Sequence, residues 1–334
     1  MASNPDFTAN TKESSQFEIK NFSLNKKNNL LFRACVEFFF SLKIAYFLKN
    51  KSDFLIYTIP SPLLCFCSFF LNKSKYGIDI RDCTWDYFDK STLHGKIYSR
   101  FLRFIIKPFV KNSEFITCTN DSEASSILSN FNRKAHVIPN GIEKKKYKLI
   151  NQNVSRKTFQ GKKNNILYCG NIGKAQALET IISTISELKY CNLKIIGKGA
   201  EKKYLENYCL ENYIKNVSFY PAMKWESLLD EYSKANVLYA QITNKYSSAI
   251  PSKIFEYIAT GRQVVLGLPN GIAKSTFSKF SGVHIHKPND IISCRNSLLS
   301  ALDDKPINRE FNDEMLKNFI RENHMEKFLS LIPK

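Results

Sequence analysis

Residues 165–176 read NILYCGNIGKAQ, and this stretch decides the fold class. The apolar run Asn165–Cys169 predicts a buried strand, and a GNIG turn leads from it into a predicted helix over Ala175–Lys189. Two glycines let the backbone approach a ligand closely, and the N–H groups at a helix start favour a phosphate. A tight strand-to-helix turn gives the same pattern, so the stretch alone leaves both interpretations open.

Short apolar runs alternate with helix-length segments along the whole chain. Such alternation predicts α/β architecture with parallel sheets that are covered on both faces. The predicted strands are Asp53–Ile59, Tyr76–Arg81, Glu114–Thr119, Ala135–Ile138, Asn165–Cys169, Leu193–Ile196, Val217–Tyr220, Val237–Tyr239, Gln263–Leu266 and Val283–Ile285. Further predicted helices are Ala200–Tyr213, Trp225–Lys234 and Pro251–Ala259.

Two domains are predicted, because the alternation breaks near Asn140–Gly141 and a Lys- and Asn-rich stretch, Glu143–Asn165, follows. We interpret that stretch as a connection between an N-terminal domain over 1–150 and a C-terminal domain over 151–334. A last helix over Arg309–Ile332 is expected, which could pack back on the first domain. Residues 1–16 are polar and are expected to be disordered.

Two further motifs in the second half suggest a phosphate-bearing ligand. Ile195–Gly199 is another strand that ends in a Gly-rich turn, which would bring a second backbone close to the first at the sheet edge. In PSKIFEY, residues 251–257, Lys253 and Glu256 share one helix face, where a lysine could hold a pyrophosphate and a carboxylate could accept two ribose hydroxyls. A local Lys–Glu pair on a solvated face is the alternative.

In this order, the three motifs resemble the C-terminal nucleotide-sugar domain of retaining glycosyltransferase family 4, whose GT-B fold has two Rossmann-like domains facing across a cleft. VIPNGI, residues 137–142, resembles the segment that links the family's domains. Ile78–Trp85 is similar to the D-x-R-D-x-W segment of its bacterial O-antigen and capsule members. The N-terminal domain looks shortened, because Gly77 is the first glycine and residues 1–29 give no clear strand–helix unit.

The resemblance implies roles for individual residues. Residues of the GNIG turn would line the donor diphosphate: Gly170, Asn171, Ile172 and Gly173. Lys174 or Gln176 would supply a side chain to the diphosphate, and Gly197 and Gly199 would approach the nucleotide. Ser252 and Lys253 would face the diphosphate or sugar. Glu256 would hold the ribose. The family's first acid of an E-x7-E pattern would fall at residue 248, where this chain has Ser248. Arg81 and Asp82 would face the cleft as catalytic candidates, although an Arg–Asp pair that fixes the strand end is the alternative for Asp82.

The activity implied is transfer of a sugar, with retention, from a nucleotide diphosphate sugar, with UDP-sugar the expected donor, to a lipid-linked or glycan acceptor in surface polysaccharide assembly. No cofactor and no metal ion are expected, because lysines and helix N-termini can stabilise the leaving diphosphate. A non-catalytic GT-B-like subunit that binds a nucleotide sugar or a partner transferase is the alternative, favoured by Ser248 and the short N-terminal domain. His284 and His286 are interpreted as structural.

A formal charge of +19 favours an anionic partner. Nucleic acid is excluded as the best explanation, because no recognition module and no basic–aromatic cluster is found. Basic residues spaced three or four apart would form a stripe on one helix face: Lys96, Arg100, Arg103, Lys107 and Lys111. The stripe is consistent either with binding to an anionic membrane or with a solvated helix, and Pro108 is expected to kink or end that helix early. Leu30–Leu48 predicts a buried amphipathic helix rather than a membrane span. A cytoplasmic location is expected, either free or peripheral at the inner membrane face.

Overall fold

A computed structural model describes residues 30–49, 54–59, 61–88, 92–155, 164–303 and 306–333. The chain forms two compact units. The first ends at Val137 and also takes in residues 331–334, and the second runs from Ile138 to Ser330. The residues predicted to be disordered, 1–16, lie outside the described part of the chain.

The first unit is built on a parallel sheet in the order β1-β2-β3-β4. Its strands are β1 (Phe54–Ile59), β2 (Lys75–Ile80), β3 (Ile116–Cys118) and β4 (His136–Val137). Most apolar side chains of these strands are buried, and Ile59, Ile78 and Ile116 have no exposed surface. Each strand predicted in this half is therefore present, shifted by one or two residues at its ends.

The helices of the first unit are α1 (Leu30–Leu48), α2 (Pro62–Leu71), α3 (Leu93–Lys111) and α4 (Asp121–Phe131). Helix α1 was predicted to be buried, and this is wrong for part of its surface, because Phe39 and Tyr46 are 68% and 72% exposed. Among the described residues, none of the helices has both the length and the apolar character that a bilayer span requires.

The second unit has a larger parallel sheet, in the order β10-β9-β8-β5-β6-β7. Its strands are β5 (Asn165–Asn171), β6 (Asn192–Lys198), β7 (Val217–Tyr220), β8 (Val237–Gln241), β9 (Gln263–Gly267) and β10 (Val283–His286). Strand β6 follows β5 on one side, and β8 pairs with β5 on the other. The strand order therefore reverses at β5, and a crevice at the carboxyl ends of β5 and β8 is where such sheets bind ligands.

The helices of the second unit cover both faces of this sheet. They are α5 (Lys144–Ile150), α6 (Glu179–Glu187), α7 (Lys202–Glu211), α8 (Trp225–Lys234), α9 (Lys253–Ala259), α10 (Ile272–Phe277), α11 (Ile291–Leu302), α12 (Arg309–Lys317) and α13 (Met325–Leu329). Two separate apolar clusters fill the space between helices and sheet, one around Phe255 and Tyr257 and the other around Ile181 and Ile195.

The interpretation of residues 143–155 as a connection is wrong. Helix α5 forms there and is followed by a short π-helical segment over 151–155. Ile150 and Val154 have no exposed surface and belong to the core of the second unit, against which Tyr147 also packs. These three apolar residues are three and four apart, so they form a helical stripe that the surrounding lysines conceal in the sequence.

The predicted last helix, Arg309–Ile332, is also wrong as a single element. It is interrupted after Lys317, and residue Ile320 forms a parallel β-bridge with Ile142. Gly141 is required beside this bridge, because a Cβ atom there would lie 1.8 Å from the carbonyl oxygen of Phe319. The C-terminal segment is thereby fixed to the start of the second unit.

Candidate nucleotide-binding site

A cavity of about 250 Å³ lies at the carboxyl ends of β5 and β8. The GNIG turn contributes Gly170 and Asn171 to its lining, and the start of α9 contributes Pro251 and Lys253. Gln176 lies in the same lining. The sheet topology therefore brings together two of the three motifs that the sequence analysis singled out.

Ile172 in the GNIG turn is held by contacts within the protein. Its side chain is fully buried, and its backbone N–H donates to the carbonyl of Lys198 at 2.9 Å. Its place in the diphosphate lining stays a prediction. Asn171 is exposed, and its side-chain amide donates to Oε1 of Gln176 at 3.1 Å.

Lys174 and Gln176 were alternatives for one role, and they lie in different places. Gln176 lines the cavity that contains Lys253, whereas Lys174 lines a second cavity of about 400 Å³ beside Glu179 and Tyr204. The predicted helix start at Ala175 is wrong, because α6 begins at Glu179. Ala177 has a φ of 39°, a left-handed conformation that no α-helix accommodates.

Gly197 and Gly199 lie against the GNIG turn. A Cβ atom at Gly197 would lie 1.9 Å from the carbonyl oxygen of Gly170, and one at Gly199 would lie 2.0 Å from that of Ile172. Both glycines are therefore needed for two backbones to pack, which is a requirement separate from the contact with a nucleotide that the resemblance implies.

Glu256 is buried in the first turn and a half of α9, only 8% exposed. Its Oε2 atom accepts hydrogen bonds from Lys253 Nζ at 2.9 Å, Trp225 Nε1 at 3.1 Å and Tyr232 Oη at 3.4 Å. The predicted Lys253–Glu256 pair is present, but the alternative of a solvated face is wrong for the carboxylate. Ser252 precedes the helix, which begins two residues later than the predicted Pro251.

The carboxylate of Glu256 stays ionised despite its burial. Burial by itself would raise its pKa, but the adjacent Lys253 ammonium, the Trp225 N–H and the more distant Lys146 ammonium outweigh that effect and lower the pKa. An ionised carboxylate can accept hydrogen bonds from the hydroxyls of a ligand, and Lys253, which pairs with Glu256, lines the cavity.

Sequence reasoning missed Lys146 and Trp225. The Nζ atom of Lys146 lies 3.8 Å from Oε1 of Glu256 and 5.7 Å from the centre of the Trp225 ring. Both residues come from segments distant in sequence from α9, and no local pattern connects them to it. The apolar stripe of α5 was the signal that could have placed Lys146 in a helix of this unit.

Comparison with known proteins identifies the family. Residues 150–321, just over half of the chain, match the family described as "Glycosyl transferases group 1". The chain belongs to this family. The resemblance to glycosyltransferases is thus confirmed at the level of group 1.

Individual relatives agree with this assignment. Over 104 residues the chain is 30% identical to the "Putative colanic acid biosynthesis glycosyl transferase WcaI" of Escherichia coli K12, which covers 30% of this chain and 26% of that protein. The chain spans 26% and 57% of the lengths of the curated relatives it matches.

Solved structures show the same fold. Sucrose-phosphate synthase from Thermosynechococcus elongatus has a TM-score of 0.69 at 17% identity, covering 92% of this chain and 79% of that one. Anabaena Alr3699/HepE in complex with UDP and glucose has a TM-score of 0.66 at 10% identity, covering 94% and 86%. The predicted fold class, GT-B with two parallel-sheet α/β domains, is confirmed.

In the first unit, Arg81 and Asp82 are not paired with each other. Arg81 Nε donates to Asp79 Oδ2 at 2.6 Å, and Asp79 Oδ1 accepts from Thr117 Oγ1 at 2.8 Å. The strand end is thus fixed by Asp79, and the alternative that gave this part to Asp82 is wrong. Asp82 instead accepts a short hydrogen bond from the Tyr87 hydroxyl, and burial raises its pKa.

A second buried carboxylate lies near this segment and was not predicted. Glu123, in the first turn of α4, is 1% exposed, and its Oε2 accepts from the backbone N–H and the hydroxyl of Thr119 at 2.8 and 2.7 Å. Its other oxygen is buried and accepts no hydrogen bond from the described residues. Asn120 caps the same helix, so Asn120-x-x-Glu123 is a variant of the capping-box pattern that sequence could have indicated.

His284 and His286 both contact neighbouring groups of the protein. His284 contacts Gln263 at 3.0 Å, and His286 contacts the carbonyl of Lys287 at 2.9 Å. Burial lowers the pKa of His286. Within the described ranges, no group of three or more His, Cys, Asp and Glu side chains is arranged to hold a metal ion.

Glu123 generates a prediction about pH. Burial raises its pKa from 4.5 to about 7, against the opposing hydrogen bonds from Thr119. Between these values the folded chain holds a proton that the unfolded chain has released, so the free energy of unfolding should fall as pH rises from about 4.5 to about 7. Glu123→Gln should flatten this dependence, whose slope is at most about 1.4 kcal/mol per pH unit.

Urea unfolding across this pH range checks the prediction, with exposed Asp121→Asn in the same helix turn as the control. An unchanged slope in Glu123→Gln would show that Glu123 does not titrate as described.

Proposed function

We propose that the chain is a retaining glycosyltransferase of family 4 that moves a sugar from a nucleotide diphosphate sugar, a UDP-sugar, to a lipid-linked or glycan acceptor. The observation that carries the proposal is the buried Glu256, whose pKa is lowered and whose partner Lys253 lines a cavity that the GNIG turn borders. Its position at the second acid of the family pattern supports a role in holding the ribose.

The residues that line the cavity include a cation and hydrogen-bond donors that could stabilise a leaving diphosphate. Lys253 lies in the cavity lining with Asn171 and Gln176, so a cation and side-chain amides can contact phosphate oxygens there. Negative charge develops on the leaving diphosphate, and fixed donors stabilise it most strongly in the transition state. We propose that these groups, with Ser252, act without a metal ion.

The names of related proteins favour particular substrates. The HepE structure contains UDP and glucose, which supports a UDP-sugar as donor. WcaI is named for colanic acid biosynthesis, which supports an acceptor in O-antigen or capsule polysaccharide assembly.

On the acceptor side, we propose that Asp82 binds or deprotonates the acceptor hydroxyl, with Arg81 beside it.

A second candidate function is a non-catalytic subunit that binds a nucleotide sugar or a partner transferase. Ser248 favours it, because the family pattern has a sugar-contacting carboxylate at this position. The two candidates differ in turnover but not in donor binding.

Release of free nucleotide diphosphate separates these candidates. We expect release from one of a panel of UDP-, GDP- and dTDP-sugars when a membrane extract supplies the acceptor, with EDTA leaving the rate unchanged. Donor binding without release from any sugar would favour the non-catalytic subunit, and absence of nucleotide binding would contradict both.

Removal of the Glu256 carboxylate tests the donor site. Glu256→Ala should abolish detectable donor binding, and the isosteric Glu256→Gln should weaken it at least about tenfold, because an ionised acceptor for the ribose hydroxyls is lost. Calorimetric titration with UDP, GDP and dTDP measures this. Exposed Glu226→Gln, in the first turn of α8, is the control, and retained affinity in both Glu256 variants would reject the assignment.

We further propose that α3 lies on the anionic inner face of the cytoplasmic membrane, where a lipid-linked acceptor would be found. Lys96, Arg100 and Lys107 are exposed, and Phe101 and Phe104 between them are 57% and 76% exposed. Basic and aromatic residues interleaved on one helix surface suit a lipid headgroup region.

The structure alters two expectations about α3. Arg103 does not belong to the exposed stripe, because it donates to the Ser99 carbonyl at 3.2 Å and to Asn130. The helix also does not end at Pro108 but continues to Lys111, where Asn112 caps it through the Pro108 carbonyl.

Charge reversal tests membrane binding. Replacing Lys96, Arg100 and Lys107 by Glu should abolish co-sedimentation with phosphatidylglycerol vesicles, and salt should weaken binding of the unaltered chain. The control reverses three exposed lysines of the second unit, Lys203, Lys215 and Lys245, so that net charge changes equally. Equal loss in both variants would show that net charge and not α3 decides binding, and undiminished binding by the α3 variant would also contradict the proposal.

A further inference from the structure

The two carboxylate oxygens of Glu256 have different surroundings. Oε2 accepts hydrogen bonds from Lys253, Trp225 and Tyr232. Oε1 accepts none from the described residues, and Lys146 Nζ lies 3.8 Å from it, beyond hydrogen-bond distance. Acceptor capacity for a ligand is therefore concentrated on Oε1, on the side where Lys146 lies.

Lys146 is held in this position by an ion pair with Glu143 on the side away from Glu256 in the chain of ion pairs. Its ammonium pairs with Glu143 Oε1 at 2.9 Å, and the same oxygen lies 3.6 Å from Arg321 Nη1. Arg321 Nε in turn donates to the carbonyl of Gly141 at 2.9 Å. The side chain of Lys146 is 26% exposed and its ammonium lies over the Trp225 ring, so packing as well as charge restricts it.

We propose that Lys146 is a positioning residue of the donor site, which holds Oε1 of Glu256 in the place where the ribose hydroxyls of a nucleotide donor bind. The proposal rests on the proposed function of Glu256. Lys146 compensates part of the carboxylate charge without occupying the acceptor sites of Oε1, since it stays 3.8 Å away. The Lys253, Trp225 and Tyr232 donors fix the other oxygen, so the plane of the carboxylate is determined from two sides.

Two elements outside the three motifs, the Ile142–Ile320 β-bridge and helix α5, contribute to the position of Lys146. The β-bridge between Ile142 and Ile320 places Glu143 and Arg321 side by side, and helix α5 then carries Lys146 to Glu256. The start of the unit and its C-terminal segment thus support one oxygen atom of the donor site.

Nucleotides that differ only in their ribose test the proposal. In Lys146→Met, affinity for UDP should fall about five- to tenfold, whereas affinity for 2′,3′-dideoxy-UDP should fall less than about twofold, because that ligand lacks the hydroxyls that Oε1 accepts. Lys146→Arg should restore most of the affinity for UDP. The matched control is Lys148→Met, which removes an exposed lysine from the same helix and should leave both affinities unchanged.

The outcomes distinguish this proposal from the proposed function. Equal weakening for both nucleotides in Lys146→Met would place Lys146 near the phosphates and overturn the proposal. Unchanged affinity for UDP in Lys146→Met, with binding lost in Glu256→Gln, would overturn it while leaving the proposed function intact. If the unaltered chain binds none of UDP, GDP and dTDP, the proposed function itself fails.

Discussion

The negative charge of Glu256 is the constraint on which the second unit depends. A carboxylate that is 8% exposed is unstable in its ionised form unless donors and cations surround it. Those groups come from three helices: Lys253 from α9 itself, Trp225 and Tyr232 from α8, and Lys146 from α5. Burying one charge therefore requires segments that are far apart in sequence to meet at the carboxyl ends of β5 and β8.

Close backbone packing is the second requirement of this region. The turn after β6 approaches the GNIG turn so closely that Gly197 and Gly199 leave no space for a side chain. In this contact the backbone N–H of Ile172 donates to the carbonyl of Lys198. The GNIG turn is consequently held by its own neighbours before any ligand binds, and it presents Gly170 and Asn171 to the cavity in a fixed arrangement.

The sequence predicted the strands well, because each depends on local composition. Strand Val217–Tyr220 and helix Trp225–Lys234 have the predicted bounds, since apolar periodicity and polar breaks define them. The predicted start of α6 was wrong, because the left-handed backbone at Ala177 is imposed by the turn. Contacts between distant segments could not be predicted from the sequence. Nothing near Lys146 in sequence indicates Glu256, and only the folded structure shows which residues contact that carboxylate.

One missed pairing was within reach of the sequence. Asp79 and Arg81 are two apart at the end of a strand, so their side chains lie on the same face and can pair. Asp82, the next residue along the chain, contacts Tyr87 instead. Strand periodicity therefore favours Asp79 over Asp82 as the partner of Arg81.

Part of the formal charge of +19 is concentrated around Glu256. One chain of linked ion pairs includes Glu256: it joins three cations, Lys146, Lys253 and Arg321, with two carboxylates, Glu143 and Glu256. This linked set carries one net positive charge, and two of its cations, Lys146 and Lys253, also compensate the buried carboxylate. Because Lys253 is the cation in the cavity lining, the pairing that lowers the pKa of Glu256 also keeps an ammonium beside the space that a diphosphate would fill. In the proposed function, ribose binding and diphosphate binding would therefore be coupled through a single ion pair, and a change to either residue of that pair would affect both.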